Sequence, residues 1–274
     1  MRSSIPCILH DVQMTSVVKV PPILKTNERK VIFMPEKIYT IPVNEAFEAS
    51  RDDASCGCPF CTLYNTLEEN ELDRILGAAM MEPDVRIETN AQGFCDTHFK
   101  MMFARKNRLG LGLILESHIA EIAKGQKGKA LSLKAPGTDQ EAKLEKLEGS
   151  CYVCGRIAFA FGKMMDTAAY LWENEKEFRD KCAAQPYFCL PHYRAFIAQA
   201  RRSMNKKTFA SFWEQVSGIE NAYLEKLGGD VSWFCKKFDY RYNDEPWYDS
   251  KDAVERAMKF LSGDLHKDPK KVQS

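Results

Sequence analysis

The reading turns on four short stretches: CPFC at 58–61, FCDTH at 94–98, CYVC at 151–154 and FCLPH at 188–192. They supply Cys58 and Cys61, Cys95 and His98, Cys151 and Cys154, and Cys189 and His192. The order is CxxC, CxxH, CxxC, CxxH. The gap from Cys61 to Cys95 holds 33 residues and the gap from Cys154 to Cys189 holds 34, so the plan repeats at matched spacing. Ten cysteines and five histidines scattered at random through 274 positions would give well under one pair of either kind. Three thiolates and one imidazole form the usual closed set of a structural zinc, and the two-residue spacer lets both ligands of a pair reach one ion from a tight turn. Such a set leaves no position for a reactive water.

Matched gaps favour one site per half. In that arrangement Cys58, Cys61, Cys95 and His98 hold one Zn2+, and Cys151, Cys154, Cys189 and His192 hold the other, although ligands from the two halves can also mix. An iron–sulfur cluster is the alternative that uses the same thiolates. Disulfides are disfavoured because the amino-terminal MRSSIPCILHDVQMTS lacks the continuous apolar core of a secretory signal, which points to a cytoplasmic protein. Cys7, Cys182 and Cys235 read as small buried hydrophobes. Cys56, two residues before Cys58, is open between a spare ligand, a reactive thiol and no role.

Working outward, the apolar residues follow helical spacing. Leu63, Leu67, Leu72, Ile75, Leu76 and Ala79 predict a helix after CPFC, ended by Glu82-Pro83. A loop with Asn90 and Gly93 then leads to Cys95. Leu111, Ile114, Leu115, His118, Ile119 and Ile122 make the next stripe. Ile157, Phe161, Met164, Met165, Ala168 and Leu171 form another, and Phe209, Phe212, Trp213, Val216, Ile219, Tyr223 and Leu227 a third, ended by Gly228-Gly229. Each metal-binding pair thus falls at a helix start, where the positive end of the dipole favours thiolates.

The expected fold is all-α, with duplicated zinc-stabilised helical units, a short amino-terminal extension and an aromatic-rich carboxy-terminal tail. Residues 36–123 form the first repeat, 124–150 a Gly- and Lys-rich linker that is partly helical near 140–148, and 151–229 the second repeat. Residues 230–274 carry the aromatic tail and a last helix from about Ser250 to Leu261, with 266–274 fraying. Residues 36–50 combine a β-prone stretch with a helical start. Residues 1–35 leave two readings open. They form a flexible or strand-like extension, or translation begins at Met34, since Glu28-Arg29-Lys30 can be encoded by a purine tract.

The runs EKIYTIPVNEAF, CPFC, GFCDTHF with KNRLGLGL, CYVC, FCLPHY and WFCKKFDYRYNDEPWYDSKDA together resemble an uncharacterised bacterial domain-of-unknown-function family, over roughly residues 36–263. The resemblance implies no activity. The eight Cys and His positions match its pattern.

Composition narrows function further. Lys plus Arg is 39 against 38 acidic residues, a net charge of +1, so no bulk attraction to nucleic acid or membrane is expected. No run approaches the ~20 apolar residues of a membrane helix. A structural or interaction protein, with a protein partner or self-association, leads. A nucleic-acid-binding zinc protein is an alternative, because Lys100, Arg105, Lys106 and Arg108 cluster, as do Arg201, Arg202, Lys206 and Lys207. A thiol-redox or Fe–S protein is another, because CPFC resembles a glutaredoxin active site. No Walker, HExxH, GxSxG or dinucleotide motif appears, and whether the chain is an enzyme stays open. His118, with Glu116 and Glu121 nearby, reads as a hydrogen-bonded core histidine rather than a catalytic one.

Overall fold

Val43, Ala46, Phe47 and Ser50 recur at helical spacing and are all buried, and this stripe makes residues 37–52 a helix, not the β-prone stretch that local composition suggests. The computed structural model describes residues 37–126 and 137–267. Within them lie eleven α-helices and no strand. They are α1 (Lys37–Asp52), α2 (Pro59–Leu76), α3 (Pro83–Gln92), α4 (Asp96–Ala104), α5 (Arg108–Gln126), α6 (Thr138–Glu148), α7 (Tyr152–Asn174), α8 (Lys176–Ala183), α9 (Leu190–Ser203), α10 (Lys206–Lys236) and α11 (Ala253–Ser262). The all-α expectation holds. The amino-terminal extension, the start at Met34, Cys7 and most of the Gly/Lys-rich part of the linker lie outside the described residues.

Three helical boundaries differ from the sequence reading. Pro83 does not end structure: it occupies the first turn of α3, where its missing N–H would be unpaired in any case. The loop expected around Asn90 is therefore helix up to Gln92. Secondly, α10 runs through Gly228 and Gly229 instead of stopping there. Two glycines cost a helix about 1 kcal/mol each. Contacts beyond them hold it: Val231 packs on the core, and Asp230 pairs with Arg256 of α11 at 3.0 Å. Thirdly, Lys176–Ala183 forms α8, whose Phe178 and Cys182 are fully buried.

Helices α2 and α7 organise the whole. Phe60 and Tyr64 near the start of α2 meet Phe161, near the middle of α7, while Arg74 near the end of α2 hydrogen-bonds Tyr152 at the start of α7 (2.7 Å). The two therefore run antiparallel. One apolar core gathers α1, the first half of α2, the second half of α7 and α8 to α11; its largest buried side chains include Phe47, Phe60, Phe178, Phe188, Phe196 and Phe212. The other gathers the second half of α2, the first half of α7 and residues of α3, α4 and α5. Both long helices thus serve both cores.

The aromatic stretch folds onto the end of α10. Trp233 meets Tyr242 and Tyr248, and Phe234 meets Phe238 and Trp247. Lys237 Nζ donates to the carbonyls of Tyr242, Asn243 and Glu245, closing that turn. Gly263, in the left-handed region (φ +86°), ends α11. The chain then returns to α2, and His266, expected to fray, is pinned there.

Candidate metal centres

Each of the four motifs opens a helix. Cys58, Cys95, Cys151 and Cys189 are the N-cap residues of α2, α4, α7 and α9, and Cys61, His98, Cys154 and His192 stand three residues later, one turn inside. The caps have extended backbone and none forms a side-chain capping hydrogen bond, so their sulfurs stay available. Each cluster is where two helix starts converge, and the helix dipoles there favour anionic sulfur.

The structure joins the motifs across the halves. Cys58, Cys61, Cys189 and His192 form one cluster, and Cys95, His98, Cys151 and Cys154 the other. The pairing expected from the matched gaps, CxxC with the next CxxH, is corrected by this geometry. The reason is helix length. At 1.5 Å per residue the 18 residues of α2 carry the chain about 27 Å away from Cys58. The ten-residue α3 is too short to bring it back. It delivers Cys95 instead to the start of α7, where Tyr152 N–H donates to Gly93 O (2.9 Å) and Ser150 Oγ–H to Gln92 O (2.7 Å).

Donor spacing fits a tetrahedral ion. Zn–S near 2.3 Å and Zn–N near 2.0 Å imply S···S edges of about 3.8 Å and S···N edges of about 3.5 Å. Cys61 and Cys189 sulfurs are 3.6 Å apart, and those of Cys95 and Cys154 are 3.9 Å apart. His192 Nδ1 lies 3.7, 3.5 and 3.2 Å from Cys58, Cys61 and Cys189. His98 Nδ1 lies 3.1, 3.3 and 3.4 Å from Cys95, Cys151 and Cys154. A disulfide needs about 2.05 Å between sulfurs, and all nine cysteines among the described residues are free. The two clusters can therefore hold a metal ion each.

Electrostatics point the same way. Hydrogen bonds with Cys189 and Cys58 pull the Cys61 thiol down, while burial and then its sulfur neighbours push Cys58 well up. Likewise Cys151 and Cys154 lower Cys95, and bonding to Cys151 and Cys95 raises Cys154. Three adjacent thiols resist ionising together until a cation neutralises them. Burial opposes charge on His98, but Cys151, Cys95 and Glu68 outweigh it and lift the imidazole to about 11. The pocket attracts positive charge.

The centres differ in their surroundings. All four residues of the Cys58 cluster are buried, whereas Cys95 and Cys154 are partly exposed. His98 Nε2 donates to the buried carboxylate of Glu68 (3.0 Å), the arrangement that commonly fixes a ligating imidazole. His266 Nδ1 donates to the same oxygen (2.6 Å), and despite burial the two imidazoles hold Glu68 below the ordinary carboxylate range. Neither Glu68 nor His266 was singled out by the sequence, which offers no local motif for them.

The chain matches a family of unknown function, DUF6062, over residues 34–268. It belongs to DUF6062. The resemblance carried by its motifs is therefore a family relationship, and in this DUF6062 chain those motifs assemble both clusters. No curated protein and no solved structure matches it.

The remaining candidate residues separate clearly. His118 is buried and its Nδ1–H donates to Asn90 O (3.1 Å), as a hydrogen-bonded core histidine does. Cys182 is a buried apolar residue, Cys235 is exposed, and Cys56 lies outside both clusters. Of the first basic cluster, Lys100 pairs with Asp96 (2.6 Å), Arg105 with Glu69 and Asp73, and Arg108 stacks on Phe103. No helix among the described residues is long and apolar enough to cross a membrane.

Proposed function

We propose that this DUF6062 chain carries two structural zinc ions, one per cluster, and serves a structural or interaction role. The observation that carries the reading is the donor set: three sulfurs and one Nδ1 within 4.8 Å of one another, twice. Zinc at such sites contributes on the order of 10 kcal/mol to folding. Here each ion would tie the start of one helix to the start of another from the opposite half. The unbridged thiols support a reducing compartment such as a bacterial cytoplasm. Exposed Phe238, Tyr240 and Tyr248 support a partner-facing surface, either for another protein or for a second copy.

Elemental analysis of protein purified without oxygen tests the reading. Two equivalents of zinc are expected. Iron with acid-labile sulfide would replace it with a cluster protein. Neither element, together with freely reacting Cys58 and Cys61, would favour thiol redox chemistry. Acidic partners of Lys100 and Arg105 weaken the nucleic-acid alternative at that cluster.

A further inference from the structure

Cys61, Asn65 and Glu68 recur at i, i+4 and i+7, so they share one face of α2. The segment after α11 runs along this face. Asp264 N–H donates to Cys61 Sγ (3.4 Å). Asn65 Nδ2 donates to Asp264 O (2.7 Å), and Asn65 Oδ1 accepts from His266 N–H (3.1 Å). His266 then reaches Glu68, which holds His98. One face of one helix thus links a ligand of the first cluster to a ligand of the second, and four residues from the far end of the sequence make the link.

The chemistry gives this link consequences. With an ion held through Nδ1, His98 would keep its single proton on Nε2, and the acceptor that faces it there is Glu68. Glu68 is 1% exposed; a carboxylate at that depth needs compensating donors, and His266 is the second one. At the other end, the N–H of Asp264 stabilises negative charge on Cys61. Loss of His266 would loosen Glu68 and free the segment that caps Cys61.

We propose that Glu68 and His266 are positioning residues for His98, and that the segment Gly263–His266 couples the two centres so that they gain and lose metal together. The proposal rests on the two-zinc reading above.

The test uses the full chain loaded with zinc and challenged with a chelator, while alkylation of individual cysteines is followed by mass spectrometry. Cys95 and Cys154 report one centre; Cys58, Cys61 and Cys189 report the other. In the wild type both sets should become reactive together. In His266→Ala, Cys95 and Cys154 should react about 10- to 100-fold sooner, the usual effect of losing an outer partner of a metal ligand. Asn65→Ala should make the two sets react independently. His266→Asn, whose amide nitrogen can stand in for Nδ1, should restore most of the protection. Equal rates in wild type and His266→Ala overturn the proposal. So does a general acceleration at every cysteine that asparagine fails to rescue, since that marks simple destabilisation. A chain that holds no zinc and whose cysteines all react at once in every form removes the two-zinc reading and the coupling with it.

Discussion

Cys61 Sγ and Cys189 Sγ lie 3.6 Å apart although 128 residues separate them along the chain. This contact links the CxxC of the first half to the CxxH of the second, and it sets how the ligands respond to mutation. Cys58→Ser with Cys189→Ser strikes one centre twice and should leave about one metal equivalent. Cys58→Ser with Cys95→Ser strikes both and should leave almost none. Pairing within halves would reverse these two results, so metal content of the double variants decides between them.

Gly57, immediately before Cys58, has φ +72°, and a Cβ there would meet the Tyr187 hydroxyl at 2.9 Å. Its carbonyl accepts the Ser50 hydroxyl, which fixes the turn. Gly57→Ala should destabilise the fold by about 1–2 kcal/mol, through the left-handed backbone and the displaced tyrosine. Chemical denaturation measures it; a variant as stable as the wild type would show that this turn relaxes freely.

Glu220 is 2% exposed, its Oε1 has no partner, and its Oε2 accepts only the Phe188 N–H at 3.4 Å. Burial raises its carboxyl from 4.5 to about 7. The folded chain then holds a proton that the unfolded chain releases, so this group favours folding below pH 4.5 and loses that contribution as pH climbs through 7. Glu220→Gln should match the wild type near pH 5 and exceed it near pH 8 by up to about 3 kcal/mol. Parallel stability curves across that window would contradict the assignment.

Phe60 sits one residue before Cys61, and its ring lies 5.0 Å from Phe196, 5.4 Å from Phe47 and 6.0 Å from the His192 ring. It joins the larger core to the first centre. Phe60→Ala should cost about 3–5 kcal/mol. The Cys58 cluster should also release metal more readily than the Cys95 cluster. If alanine does not fold, Phe60→Leu gives the same order of release at a smaller cost, and equal release from both clusters would argue against the link.

How much could be read from residues alone follows from the range of each interaction. The eight candidate ligands and their places at helix starts are written in spacings of three residues, because a CxxC or CxxH turn is closed by neighbours in the chain. The stripes of α2, α5 and α7 were legible for the same reason. Helix α1 was obscured by Pro42 and β-prone neighbours, although Val43, Ala46 and Phe47 carried the helical period. The continuation of α10 through Gly228 and Gly229 was not local at all: it rests on Asp230 meeting Arg256 and on Val231 reaching the core.

By itself, then, the sequence determined that this is a helical protein with two Cys3His donor sets, since ligand type and short-range spacing are properties of contiguous residues. The tertiary structure alone decided which CxxC meets which CxxH, because a rigid 18-residue α2 and its antiparallel packing on α7 set the distances that two nearly equal loop gaps leave open. It also brought Glu68 and His266, 198 residues apart, onto one hydrogen bond beside His98. A carboxylate becomes a partner to a metal ligand only when burial removes its water, and burial is a property of the packed fold.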